Sequence, residues 1–139
     1  MMKKLLVATL LAAAYSVTYA AGETITVYKD KNCGCCEGWV DHLRESGFKV
    51  KAINHDDMSA IKKKFNVPES MGSCHTAVVD KSGQVIEGHV PAAAINKLIA
   101  RPSVKGVAAP GMPMNSPGMG KLDGNLITYD FTGKSFSRD

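Results

Sequence analysis

Three cysteines in four positions, Cys33-Gly34-Cys35-Cys36, constrain this chain more than any other feature. They stand where one hydrophobic period gives way to another. Residues 24–29 (TITVYK) alternate β-branched residues with others, as a strand does. Cys36, Trp39, Val40 and Leu43 then recur at helical spacing, in a helix over 37–46 that Gly47 ends. Such a junction puts the sulfurs at a helix N-terminus, whose free N–H groups and partial positive charge favour thiolate over thiol. Thiolate is both the nucleophile and the metal ligand of cysteine chemistry. Stapling fits the pattern poorly. Adjacent residues such as Cys35 and Cys36 have Cα atoms about 3.8 Å apart, below the roughly 4.4 Å of an unstrained bridge. Entropy also favours bridging residues distant in sequence.

The rest of the chain alternates in the same way. Residues 48–53 (FKVKAI) read as a second strand, and Asp57 or Ser59 caps a short helix carrying Met58, Ile61 and Phe65. Residues 76–80 (TAVVD) and 84–89 form a third and a fourth strand around the turn Lys81-Ser82-Gly83. Pro91 opens a last helix through Ala100. The first crossover predicts parallel neighbours and the final turn an antiparallel hairpin. This is an α/β, thioredoxin-like arrangement, a mixed four-stranded sheet with flanking helices, over residues 21–101. Residues 102–139 form a Met/Pro/Gly-rich C-terminal extension, read as an extended, non-core tail with an edge strand over 126–131. Lys62-Lys63-Lys64 reads as the solvated face of the second helix, and His42 as a solvated residue. His55, beside Asp56 and Asp57, reads as part of a helix cap.

A chain of 139 residues has room for one domain. Its 45% hydrophobic and 22% charged residues exclude a disordered tail or a coiled coil. Lys3 and Lys4, the apolar run 5–14 (LLVATLLAAA), and Thr18 and Ala20 before a cut at Ala21 read as a secretory signal peptide over residues 1–20. The run is too short to span a membrane. The mature chain is therefore expected in the periplasm, without membrane insertion. Without Lys3 and Lys4 it carries 15 basic and 13 acidic residues. That balance excludes the basic stripe of a nucleic-acid binder.

Cys33 and Cys36 are the outer pair of a C-x-x-C redox motif and the candidate catalytic residues. A disulfide enzyme needs two sulfurs, so the third, Cys35, suits a soft metal better. Cys74-His75-Thr76 lies on the loop that faces this motif in a thioredoxin-like fold, and His89, at the end of the fourth strand, lies near that loop. The extension adds Met112, Met114 and Met119, three soft thioethers with no core to fill; a hydrophobic latch is their other reading. Soft thiolates select Cu(I), zinc or iron–sulfur. Zinc is satisfied by the cysteines and His75 but leaves the methionines without a role.

The motifs CGCCEGW, SCHTAVV, IEGHVP and APGMP…SPGMG, in that order, resemble the periplasmic copper-resistance protein CopG family over about residues 24–120. The resemblance implies a thioredoxin-like domain whose C-terminal extension helps to bind copper, and a Cys-bridged cluster of several copper ions beside the CxCC. By motif matching, Cys33, Cys35, Cys36 and Cys74 are the implied sulfur ligands. It further implies interconversion of Cu(I) and Cu(II), or sequestration, in copper resistance. A monomer is expected, with copper ions and other periplasmic copper-handling or efflux proteins as partners. A thiol–disulfide oxidoreductase without a metal cluster is the alternative. It needs neither the Met loop nor Cys74-His75.

Overall fold

A computed structural model describes residues 22–139. The expected signal peptide, residues 1–20, lies outside the described residues. The elements follow in the order β1 (Thr24–Lys29), α1 (Gly34–Glu45), β2 (Lys49–Asn54), α2 (Met58–Lys64), a 3-10 turn (Glu69–Met71), β3 (Thr76–Val79), β4 (Val85–Glu87), α3 (Ala92–Ile99), β5 (Gly106–Ala108), β6 (Ile127–Asp130) and β7 (Ser135–Arg138). Strands β1 and β2 pair in parallel, as the crossover requires, and β3 and β4 pair antiparallel across the 81–83 turn. The sheet is larger than expected. Among the described residues it has seven strands in the order β2-β1-β3-β4-β5-β6-β7, not four.

Period-2 side chains explain which face is the core. Ile25 and Val27 of β1 lie opposite Val79 and Ala77 of β3, and all four are buried. They pack with Trp39, Val40 and Leu43 of α1 and Ala94, Ile95 and Leu98 of α3 in one cluster. Lys29, next on the same face of β1, is buried too. Its ammonium reaches Glu37 in the first turn of α1 at 2.6 Å and Asn54 at 2.9 Å. Helix α2 covers the other face, where Tyr28 stacks against Phe65 at 5.5 Å. Asp57 caps α2 by accepting from the Ala60 N–H, and His55 Nδ1 accepts from the Asp57 N–H, so the cap reading holds.

Three local expectations are corrected. Residues 102–139 are not a non-core tail: β5 pairs in parallel with β4, and Val107, Ala109 and Phe136 belong to the core cluster. Strand β6 is not an edge, because β7 pairs beyond it. Buried Gln84 ties the extension in, its amide donating to the carbonyls of Leu98, Arg101 and Val104. His42 is half-buried rather than solvated, and its Nε2 accepts from the Ala92 N–H at 3.0 Å, capping α3 from the neighbouring helix.

Candidate metal centre

The four cysteines meet at one end of the sheet. Cys33 is the N-cap residue of α1, Cys35 and Cys36 lie in its first turn, and Cys74 lies on the loop entering β3. The four sulfurs all lie within 4.8 Å of one another. Cys33 and Cys36 are joined in a disulfide, while Cys35 and Cys74 are free. Cys35 Sγ sits 3.5 Å from Cys33 Sγ. A second group shares Cys74: its sulfur is 3.0 Å from His89 Nε2 and 3.5 Å from His75 Nδ1.

Both imidazoles are neutral sulfur neighbours rather than cations. Burial, aided by His89, pushes His75 down to about 3. Its ring stacks on Trp39 at 4.2 Å, and its Nε2 is buried with no hydrogen-bond partner among the described residues. Burial also lowers His89, against the opposing pull of its bond to the Pro117 carbonyl. The thiol of Cys74, on the loop and not at the helix terminus, is held in its protonated form. Burial and the neighbouring Cys35 push it up to about 11, so at neutral pH it keeps its proton. A metal arriving at this sulfur must displace that proton.

The backbone behind Cys74 is held by a residue with no sequence-level suspicion attached. Glu87 of β4 is 0% exposed, and its carboxylate accepts from the Ser73 N–H (2.9 Å) and the Thr76 hydroxyl (2.7 Å), one on either side of Cys74-His75. Its counter-charge is Lys62, which also donates to Thr76. The expectation for Lys62 is thereby corrected. Its side chain is only 22% exposed and it belongs to a buried ion pair, unlike exposed Lys63 and Lys64. A carboxylate closing an otherwise apolar strand (VIE) is the signal that could have found Glu87, because burial on both sides of a strand demands a partner.

The methionine loop docks across this end of the molecule. At one side the Gly111 N–H reaches the Gly72 carbonyl and the Ser73 hydroxyl donates to the Gly111 carbonyl. At the other, the Pro117 carbonyl meets His89 Nδ1 at 2.6 Å, and Gly118 lies against the first turns of α1. The backbone is thus held to the site, but the side chains are open: Met112 is 47% and Met114 71% exposed, while Met119 is half-buried. The donor set is soft at its centre and nitrogenous at one side, which fits a thiophilic ion.

Residues 71–119 match the family described as "Protein of unknown function, DUF411". No curated protein matches the chain. Two solved structures, copper resistance protein CopG in its form 1 and its form 2, each share 44% identity with it, at a TM-score of 0.74. Each match covers 85% of this chain and 98% of the other. At that identity over most of both chains, the chain belongs to the copper resistance protein CopG family.

Proposed function

We propose that the chain binds copper in the periplasm through Cys33, Cys35, Cys36 and Cys74, with His75 and His89 as nitrogen donors, and changes its oxidation state or sequesters it in copper resistance. The observation that carries this is the convergence of four sulfurs within 4.8 Å, sharing Cys74 with two neutral imidazoles. Thiolates bridge as well as ligate, so several copper ions per chain are expected. The site sits on a thioredoxin-like core of β1 to β4 with α1 to α3, and Met112, Met114 and Met119 are further soft donors beside it. Residues 1–20 are read as the signal that directs export. The protein works as a monomer, with copper-handling or efflux proteins of that compartment as its partners.

The redox step balances on this chain's own residues. Oxidation of the Cys33 and Cys36 thiols to a disulfide releases two electrons and two protons, and the electrons reduce two Cu(II) to Cu(I). The reverse regenerates the dithiol. Fully reduced protein should therefore take up more than one Cu(I) per chain, measured by titration against a chromophoric Cu(I) chelator. Cys35→Ser should lower that number and still form the Cys33–Cys36 disulfide.

A second reading has its own support. The Cys33–Cys36 bond, with Cα atoms 5.3 Å apart, is the outer pair expected of a thiol–disulfide oxidoreductase. Under it, Cys35→Ser binds copper as the parent does and alters only disulfide-reductase activity. That result would replace the copper reading.

A further inference from the structure

The loop 110–120 reaches the site through a backbone carbonyl as well as through methionine side chains. A carbonyl oxygen only accepts, so at 2.6 Å from Pro117 O the Nδ1 of His89 must carry the ring proton. With one proton on the ring, that leaves a bare lone pair on Nε2, which faces Cys74 Sγ 3.0 Å away. The chain of bonds runs from Cys74 through His89 to Pro117. An outer carbonyl fixing tautomer and ring orientation is how metal-binding imidazoles are ordinarily aimed.

We propose that Pro117 and Gly118 form a clamp that positions His89, holding its Nε2 towards Cys74, so that the extension serves the site through its main chain. Its functional side rests on the copper reading above. Gly118 explains how the carbonyl is placed. Its φ of +90° is one that only glycine adopts freely, and a Cβ there would come 2.6 Å from Cys35 O and 2.8 Å from Trp39 N. The contact is tight from the other side as well. A Cβ on Gly38 of α1 would stand 3.1 Å from Gly118 Cα. Two glycines therefore set the distance between the loop and α1, and with it the reach of the Pro117 carbonyl. His89 is a positioned residue and Pro117 the group that positions it.

The test separates the clamp from copper binding. In metal-free protein at pH 7, long-range proton–nitrogen spectra, assigned with His89→Gln, should show the His89 proton on Nδ1. Gly118→Ala should populate both tautomers and weaken Cu(I) binding about 10- to 100-fold. Gly38→Ala, which suits a helix and keeps the chain folded, should shift both readouts the same way by less. Met112→Leu with Met114→Leu should leave the tautomer as in the parent, because it removes sulfur and spares the carbonyl. A parent proton on Nε2, or parent Cu(I) affinity in Gly118→Ala, would overturn the proposal; if Gly118→Ala does not fold, Gly38→Ala decides by the same criteria. Should the parent bind no copper, the copper reading fails, and the tautomer shift alone decides whether the clamp exists.

Discussion

His75 shows what single residues contribute here beyond donor atoms. The sequence marks it as a loop histidine beside a cysteine, and the structure buries it completely against Trp39. Burial first, then His89, lowers its pKa to about 3, against 6.5 for the exposed side chain. The folded state thus prefers the neutral ring. The stability this represents is fully present above pH 6.5 and is lost as pH falls towards 3, at about 1.4 kcal/mol per pH unit. Urea unfolding of metal-free protein at pH 7, 5 and 4 should show midpoints falling across that window. In His75→Phe, which keeps a ring on Trp39, the fall should be shallower. Equal pH dependence in the two proteins would place the acid sensitivity elsewhere.

At the scale of elements, the contact between α2 and β4 matters more than its length suggests. Lys62 and Glu87 join the two elements on the face opposite the main core, and Glu87 bonds both flanks of Cys74-His75. Removing one partner of such a pair strands the other, whereas removing both is far milder. Glu87→Gln and Lys62→Met should each cost on the order of 2–3 kcal/mol, a discounted figure because the lysine is partly solvated. The double variant should cost clearly less than the sum, which denaturant melts of all four proteins measure as a coupling energy. Additive losses would mean that the pair does not act as a unit. Helix periodicity correctly assigned α2, and its apolar Ile61 is buried. It could not separate Lys62 from Lys63, since which lysine finds a carboxylate depends on where β4 lies.

For the whole molecule, the extension changes meaning. Read from composition, residues 102–139 are a detachable strip of proline, glycine and methionine. In three dimensions they supply three of seven strands, and Val107, Ala109 and Phe136 fill the core that α1 and α3 share. Truncation after Arg101 would uncover the β4 edge and delete that packing. Burial of Val107 and Phe136 alone is worth about 1.5–3 kcal/mol each, out of a total near 5–15 kcal/mol for a typical domain. The truncated chain should lose its cooperative unfolding transition by circular dichroism, and a transition at the parent midpoint would mark the extension as a mere appendage. By itself the sequence determined the local elements and the soft donors: strand periods at β1 to β4, helix periods at α1 to α3, and the four cysteines with Cys74 facing the cluster. The elements and donors follow from backbone periodicity and side-chain chemistry, which are local properties, and the placing of Cys74 opposite the cluster from the fold that this order of elements implies. Tertiary structure alone decided that β5 to β7 extend the sheet, that Glu87 and Lys62 hold the Cys74 loop, and that Pro117 aims His89. Each of these depends on a partner distant along the chain, and for Pro117 on a main-chain carbonyl that every residue carries, so no pattern of side chains could announce it.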